Sequence, residues 1–523
     1  MEKLILDCTL RDGGYCNKWN FGKSNIKKII KGLNEANIDI IECGFLTDRV
    51  EYSVDVSKYT DINQIKEFTR DKDFKGMLVV MVNCNEYDLN QLPKNDGTID
   101  GIRLAFHKKD IVKAMQDCAI IINKGYKLFV QPMVSINYSD EEFLQLIKMV
   151  NDLRPYAFYI VDSFGVMRKN DLLRLFYLVE HNLDRNIYIG YHSHNNLQLA
   201  FSNAQVILDV HTKHNLIIDS SIFGMGRGAG NLNTELIVDY VDSYKYNLVP
   251  VFRIIDEVLM NFYKQNYWGY SLANYISAMN NCHPNYAIYL ENKNTLKVED
   301  INNIFSAMDK EKISSYDEKY IEKLYVEYLN SKDVFNINNL EEFKNKIENK
   351  EILVVLPGNS INLQREKIDS FIKQKSPIVI CVNFESSDIP CDYIFISNIR
   401  RYNGFSAKNI NKDKFIVTSN IRTEDFYLKL DYYGLLNEIE YVKDNAALML
   451  LKFLAELKIS KVYIAGLDGF SLNYENNYFK SDFKFYFNKQ QIECINEGLN
   501  IAINEFLKIM EIINITDFKN IRW

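Results

Sequence analysis

The sequence predicts an α/β protein with a (β/α)₈ barrel, a helical extension and a second α/β domain with an open parallel sheet. Three observations support this prediction. Short apolar, β-branched runs alternate with amphipathic segments through the first half of the chain. The pattern becomes helical from about residue 249, and a new strand–turn–helix pattern begins at residue 351. The predicted domains are therefore 1–245, 246–345 and 346–523.

Eight strand–helix units account for the first domain. The predicted strands are 4–10, 38–45, 76–82, 101–106, 127–134, 158–164, 187–194 and 216–224. Helical patterns between them cover 25–36, 110–124, 140–153, 169–181 and 196–210. Strands that alternate with helices form right-handed units on a parallel sheet, and eight units match a barrel of about 250 residues. A doubly wound open sheet is the alternative, but it seldom reaches eight regular units.

The rest of the chain predicts a helical extension followed by a Rossmann-like sheet. The helical patterns are 251–263, 270–279, 298–307 and 317–330, and a charged stretch at 341–350 marks the next boundary. Further strands are predicted at 377–384, 393–397, 414–418 and 461–466, with a helix at 445–457 before the last of them. The turn at 357–360 could hold a phosphate at a helix N-terminus, although many such turns bind nothing.

Composition excludes several classes of protein. The net charge is −7, and no block dense in Lys and Arg predicts nucleic-acid or anionic-membrane binding. No apolar run reaches the length of a membrane span, and the first residues lack a signal-peptide core, so the cytoplasm is the expected location. The nine cysteines include no CxxC pair, which argues against a disulfide scaffold or a thiolate zinc site.

Charged and imidazole side chains stand where two predicted strands, the first and the seventh, end. Arg11 and Asp12 follow the first strand, and His192 and His194 end the seventh. In a strand, residues i and i+2 face the same side, so both imidazoles would point into the barrel mouth. With the carboxylate of Asp12 they form a three-ligand set for a divalent ion. The alternatives are a helix N-cap for Asp12 and a polar cap without a ligand for one histidine.

A glycine-dense segment, 224–231, follows the eighth predicted strand. Glycines allow the backbone to approach an anionic or chelated group closely. The spacing fits neither a P-loop nor a dinucleotide fingerprint. Asn231 offers a neutral oxygen that could complete a metal shell; the alternative is a tight loop before the eighth helix.

Taken together, three segments of the first half resemble the metal-dependent aldolase and acyl-lyase family of TIM barrels (the HMGL-like, or DRE-TIM, metallolyases). The resemblance is closest to the 4-hydroxy-2-oxovalerate aldolases, and it extends to 268–271 and 283–286 in the helical extension. The segments are Thr9-Leu10-Arg11-Asp12-Gly13, His192-Ser193-His194-Asn195-Asn196 and Gly226-Arg227-Gly228-Ala229-Gly230-Asn231.

The resemblance implies roles for individual residues. Asp12, His192 and His194 would bind Mn²⁺ or Mg²⁺, with Asn231 nearby; Arg11 would face the enolate oxygen, and Ser163 the substrate carboxylate. A homo-oligomer and a partner enzyme that accepts the aldehyde are both compatible with the resemblance.

The chain departs from that family at the general base. Tyr15 stands where the aldolases have a histidine, and a phenol with a pKa near 10 is a poor base at pH 7. Tyr15 is activated, or His107 or a hydroxide on the metal takes the proton, or the substrate differs.

The first hypothesis is a carbon–carbon lyase that cleaves or forms a bond between an aldehyde and a 2-oxo acid such as pyruvate, through an enolate held by the metal. Its place in surface-glycan biosynthesis is suggested by the added domain alone. The alternatives are an acetyl-CoA-dependent Claisen-type acyltransferase, and a nucleotide- or nucleotide-sugar-binding protein whose barrel is not catalytic.

Overall fold

A computed structural model describes residues 2–69, 74–242, 244–293, 296–330, 337–386, 388–406, 412–421, 423–472, 477–478, 489–517 and 520. The chain forms two compact units. The first comprises Met1–Ile288 and Met308–Tyr316, and the second comprises Tyr289–Ala307 and Asp317–Trp523. The three-part division at residues 245 and 345 stays a prediction.

The first unit contains a closed barrel of eight parallel strands. They are β1 (Lys3–Asp7), β2 (Ile40–Leu46), β3 (Met77–Asn83), β4 (Gly101–Phe106), β5 (Lys127–Pro132), β6 (Ala157–Asp162), β7 (Tyr188–Ser193) and β8 (Leu216–Ser220). Each strand pairs with its neighbours in the chain, and β1 pairs with both β2 and β8, which closes the ring. The barrel prediction is confirmed. A two-residue strand, Lys58–Tyr59, pairs with the end of β2.

Helices surround the barrel because each has one apolar face. In the helix Asp140–Leu153, for example, Ser139 and Glu142 form a capping box, and the buried residues recur at helical spacing. The helices of the barrel are Lys23–Glu35, Lys66–Thr69, Ile111–Asn123, Asp140–Leu153, Lys169–Asn182, Ala200–Asp209 and Thr234–Asp242. Later helices are Leu248–Ile254, Met260–Gln265, Leu272–Met279, Pro284–Asn292, Val298–Ser306, Glu318–Asn330 and Ile337–Ile347.

The first strand ends earlier than predicted. The prediction extended it to residue 10, but β1 ends at Asp7, and Thr9–Asp12 is a helical turn followed by the 3₁₀ turn Gly13–Cys16. The Asp7 carboxylate accepts a hydrogen bond of 2.9 Å from the backbone N–H of Thr9. A side chain that satisfies a backbone donor in this way favours a turn over continued strand pairing.

The second unit contains a parallel sheet of seven strands. They are β9 (Ile352–Val355), β10 (Ile378–Val382), β11 (Tyr393–Ile396), β12 (Phe415–Thr418), β13 (Leu428–Leu430), β14 (Lys461–Ala465) and β15 (Glu511–Asn514). The order across the sheet is β13-β12-β11-β10-β9-β14-β15, which is the arrangement of a doubly wound α/β sheet. The sequence did not predict β13 and β15, which are short and partly polar.

The helices of this unit that follow β9 are Ser360–Leu363, Arg365–Lys375, Ile399–Ser406, Ala446–Glu456 and Lys489–Phe506. Among the described residues, no helix of either unit combines the length and the apolar character needed to cross a bilayer.

Candidate active site

Asp12, His192 and His194 meet at the carboxyl-terminal end of the barrel. Oδ2 of Asp12 lies 3.3 Å from Nε2 of His192 and 3.5 Å from Nε2 of His194. All three residues are buried. The helical turn after β1 supplies the carboxylate, and β7 with the residue after it supplies the imidazoles. The structure thus brings together the three residues predicted to bind a metal.

A second carboxylate group, that of Asp219 on β8, orients His192. Its Oδ2 lies 3.0 Å from Nδ1 of His192. When Nδ1 donates its proton to Asp219, the lone pair of Nε2 points toward Asp12, as a metal ligand requires. Burial opposes protonation of His192, but its contacts with the carboxylates of Asp12 and Asp219 outweigh burial and raise its pKa.

Two arginines connect these carboxylates to Glu42. Arg11 contacts Glu42 through Nε at 2.8 Å and Asp12 through Nη1 at 3.2 Å. Arg103 bridges Glu42, at 2.9 Å, and Asp219. We call Arg11, Asp12, Glu42, Arg103, His192 and Asp219 the ion ring.

The ion ring holds three carboxylates against two guanidinium groups, which leaves one formal negative charge when His192 is neutral. A buried charge without compensation is costly, so this arrangement favours a cation.

The donor atoms fit a divalent ion. In the part of the chain that the structure describes, neither Oδ2 of Asp12 nor Oδ1 of Asn231 accepts a hydrogen bond, although both atoms are buried. Burial opposes ionisation of Asp12, but Arg11 and the imidazoles hold its pKa well below its usual range. Burial lowers the pKa of His194 to about 3, so its imidazole is neutral. A carboxylate, two imidazoles that bind a metal in their neutral form and an amide oxygen are suitable ligands for Mn²⁺ or Mg²⁺.

Cys8 also lies beside these candidate ligands. Its position there was not predicted from the sequence. Its sulfur and donor atoms of Asp12 and His192 lie within 4.8 Å of one another. Burial raises the pKa of the Cys8 thiol well above its ordinary value, so the thiol stays protonated. The only signal in the sequence was its position one residue after β1.

The structure places the two predicted proton acceptors differently. Tyr15 lies in the 3₁₀ turn after Asp12, with its ring 4.7 Å from that of Trp19. Although the residue is 42% exposed, desolvation of the phenol raises its pKa above the ordinary value of 10. His107 follows β4, is exposed, and among the described residues makes no ion pair or hydrogen bond with Asp12, His192 or His194. Burial of its ring lowers the pKa of His107.

Arg227 links three residues of the barrel mouth. Its Nη2 donates to the backbone oxygen of Ser163 at 3.2 Å, its Nη1 lies 3.3 Å from Nε2 of His283, and its guanidinium lies 5.3 Å from the centre of the Tyr15 ring. The hydroxyl of Ser163 accepts a hydrogen bond from the backbone N–H of Val134 at 2.9 Å. The predicted substrate contact Ser163 therefore also fixes the loop after β5.

Neither Arg227 nor His283 was predicted from the sequence to have a role in the site. Burial lowers the pKa of His283 to about 2, and the charge of Arg227 acts in the same direction. The one available signal for Arg227 was its being the only charged residue in a glycine-rich segment.

The fold and this cluster define a (β/α)₈-barrel enzyme with a candidate divalent-metal site at the carboxyl-terminal face. Residues 3–247 match the HMGL-like family. The matched segment contains the three motifs that resemble the metal-dependent barrel lyases and aldolases.

Several proteins are similar to the chain. The 4-hydroxy-2-oxovalerate aldolase of Geobacillus genomosp. 3 is 27% identical over 258 residues, which cover 48% of this chain and 74% of that protein. The protein of the same name from Carboxydothermus hydrogenoformans is 26% identical over 257 residues, with the same coverage. The crystal structure of the N-terminal domain of a proposed aldolase from Bacteroides vulgatus is 27% identical. The match covers 55% of this chain and 96% of the crystallised chain, with a TM-score of 0.48.

Proposed function

We propose that the barrel is a divalent-metal-dependent aldolase that cleaves or forms a carbon–carbon bond next to the carbonyl of a 2-oxo acid, with pyruvate as the expected partner of an aldehyde. The observation that carries the proposal is the convergence of Asp12, His192 and His194 on one buried point at the mouth of an HMGL-like barrel. The two relatives named above are both called 4-hydroxy-2-oxovalerate aldolases, which supports this choice of reaction.

Asp12, His192 and His194 would hold Mn²⁺ or Mg²⁺, with the Asn231 amide beside them. When bound, the ion supplies a Lewis acid that polarises the substrate's oxo group. Arg11 supplies a fixed positive charge for the enolate oxygen that develops when the bond breaks. Its contact with Glu42 at 2.8 Å fixes the guanidinium in place before the substrate arrives.

Arg227 and Ser163 are proposed to bind the substrate carboxylate. In the described chain, Arg227 has no acidic partner within ion-pair distance, and its buried Nε donates no hydrogen bond. A partly buried guanidinium without a carboxylate partner favours an anionic ligand. Ser163 is next to it through the 3.2 Å contact to its backbone oxygen.

We propose Tyr15 as the group that accepts the proton from the hydroxyl that becomes a carbonyl. It occupies the position where the resembling aldolases have a histidine, and its ring lies under Arg227. The cationic groups of Arg227 and Arg11 favour the phenolate, while burial opposes it more strongly. His107, the other candidate, makes no ion pair or hydrogen bond with Asp12, His192 or His194 among the described residues.

The direct experiment follows exchange of the pyruvate methyl protons with deuterium by NMR, because this exchange reports enolate formation without requiring the aldehyde. We expect exchange with the wild-type protein and Mn²⁺, and loss of at least 100-fold in rate for Asp12→Ala. Asp209→Ala, a change in an exposed carboxylate on a barrel helix, is the matched control. Equal exchange by wild type and Asp12→Ala would exclude the enolate mechanism.

The pathway, the location and the partners are part of the same proposal. A second α/β unit on the same chain supports a specialised route such as the assembly of a surface glycan in the cytoplasm. A homo-oligomer or an enzyme that takes up the aldehyde would be the partner. Release of free CoA from acetyl-CoA in the presence of a 2-oxo acid would instead identify a Claisen-type acyltransferase.

A further inference from the structure

The second unit contains a cavity of about 180 Å³ at the carboxyl ends of its central strands. This volume corresponds to about six water molecules at about 30 Å³ each. Its wall includes residues that follow β9, β10, β11 and β14 and the first turn of the helix Ala446–Glu456; the ones used below are Gly358, Asn383, Arg401, Asn445, Gly466 and Asp468.

The cavity lies where the sheet changes direction. Strands β9 to β13 follow one another toward one edge, whereas β14 pairs with the opposite side of β9. The connections to the two sides of β9 therefore diverge and leave a crevice outside its carboxyl end. In open α/β sheets, ligands bind in this crevice.

Two glycines let the loops that form the floor of the crevice lie close together. The backbone N–H of Gly358 donates to the carbonyl of Gly466 at 3.1 Å. A Cβ atom on Gly466, where φ is +82°, would lie 2.1 Å from the carbonyl oxygen of Leu356. The loops after β9 and β14 can therefore approach each other only because these two positions lack side chains.

One wall offers hydrogen-bond donors and a positive charge. Asn383, directly after β10, accepts a hydrogen bond from the backbone N–H of Ser397 at 3.1 Å with its oxygen. Asn445 accepts from the backbone N–H of Ala447 at 3.0 Å in the same way. Among the described residues, both amide nitrogens keep their donors for another acceptor. Arg401, on the helix after β11, also lines the cavity, on the same side of β9 as Asn383.

The opposite wall offers an acceptor. Asp468, in the loop after β14, is 3% exposed, and its Oδ2 accepts a hydrogen bond from the backbone N–H of Ser360 at 2.7 Å. This bond holds the carboxylate at the crevice. The cavity thus has a donor-rich, cationic side and an acidic side, separated by the glycine floor.

We propose that this cavity binds a nucleoside phosphate, with the phosphate on Arg401 and Asn383 and the ribose hydroxyls on Asp468. A nucleotide is complementary to the cavity. Its phosphate oxygens are anionic and accept hydrogen bonds, whereas its ribose hydroxyls donate to a carboxylate. The inference concerns the second unit alone and does not depend on the reaction proposed for the barrel.

The test measures binding to the full-length protein by isothermal titration calorimetry and by the unfolding temperature. The probes are ribonucleoside mono- and diphosphates, the matched nucleosides, the matched 2′,3′-dideoxynucleotides and inorganic phosphate. We expect at least one ribonucleotide to bind, and its nucleoside, its dideoxy analogue and phosphate to bind at least tenfold more weakly. Asp12→Ala should bind the same nucleotide unchanged.

Two variants assign the ends of the ligand. Arg401→Gln should weaken the nucleotide at least tenfold and leave the matched nucleoside unaffected. Asp468→Asn, which keeps an oxygen for Ser360, should lose the preference for ribo over dideoxy. Arg365→Gln, outside the cavity and paired with Asp369 at 2.8 Å, is the matched control.

The proposal is overturned if the folded wild-type protein binds no nucleotide, if inorganic phosphate binds as tightly as the best nucleotide, or if Arg401→Gln binds like wild type. If Asp468→Asn does not fold, the comparison of ribo and dideoxy ligands on the wild-type protein still decides the contact to ribose.

Discussion

Each ring nitrogen of His192 lies opposite a different carboxylate. Asp219 is 3.0 Å from Nδ1, and Asp12 is 3.3 Å from Nε2. Two acidic neighbours favour the doubly protonated form of a histidine. A metal that binds Nε2 must displace the proton on that nitrogen, while the proton on Nδ1 stays. The Asp219 contact keeps the remaining proton on Nδ1, so it acts on the metal through the histidine.

Changing Asp219 to Asn should weaken Mn²⁺ binding 10- to 100-fold, the usual effect of removing the acceptor behind a histidine ligand. Titration of Mn²⁺ followed by electron paramagnetic resonance measures this without any catalytic assay. Asp209→Asn, on an exposed helix position, should bind Mn²⁺ like wild type. Unaltered affinity in a folded Asp219→Asn protein would contradict this positioning role.

The raised pKa of Tyr15 predicts an alkaline pH profile. A general base acts in its deprotonated form, so kcat/KM should rise with pH and reach no plateau below about pH 10. Tyr15→Phe should lose about 10²- to 10⁴-fold in kcat/KM. Tyr15→His should keep activity and shift the rising limb toward neutral pH.

Aldol cleavage measured from pH 6 to 10.5 checks this profile, with His107→Ala as the comparison. A Tyr15→Phe protein as active as wild type would assign the proton transfer to another group. A large loss in His107→Ala alone would identify that histidine.

Among the structural elements, the turn after β6 determines where His194 lies. Gly165 in this turn has φ of +61°, and a Cβ atom there would lie 2.6 Å from the backbone nitrogen of Asn196 and 2.7 Å from the carbonyl oxygen of His194. The backbone N–H of His194 donates to the carbonyl of Asp162 at 3.1 Å. The turn and the end of β7 are therefore packed backbone against backbone.

Gly165→Ala should shift the backbone at His194, destabilise the barrel by more than about 2 kcal/mol and weaken Mn²⁺ binding. Gly97→Ala is the matched control, because Gly97 also has a positive φ of +87° but no atom lies within 4 Å of its Cβ position. Urea unfolding and Mn²⁺ titration of both variants measure the two effects. Equal losses in both would attribute the effect to φ strain alone.

At the scale of the whole molecule, the negative charge of the ion ring predicts that a divalent ion stabilises the barrel unit. Ligand present at 100 times its Kd adds about 2.7 kcal/mol to the free energy of unfolding. Trp19 and Trp268, two of the three tryptophans, lie in this unit, so fluorescence reports its unfolding.

Mn²⁺ should raise the unfolding temperature measured by tryptophan fluorescence, and EDTA should reverse the rise. The Asp12→Ala protein should show no metal-dependent change. An equal rise in that variant would mean that the metal binds elsewhere.

The sequence predicted the barrel because its strands are buried on both faces and therefore appear as short apolar runs. It also predicted that Asp12, His192 and His194 lie together, because side chains at the carboxyl ends of parallel strands share one face of the barrel. It could not pair Arg103 with Asp219, since 116 residues separate two charges that lie inside apolar strands. It also missed the helical turn Thr9–Asp12, because a local hydrogen bond from Thr9 to Asp7 overrides the apolar pattern.

β1 pairs with β8 as well as with β2. One of the three candidate metal ligands, Asp12, lies in the turn after β1, and the other two, His192 and His194, lie some 180 residues further along the chain. Neither part of this site can bind a cation in this way until β8 has paired with β1 and closed the barrel. The rate at which the refolding protein binds the metal would therefore report the rate at which the barrel closes.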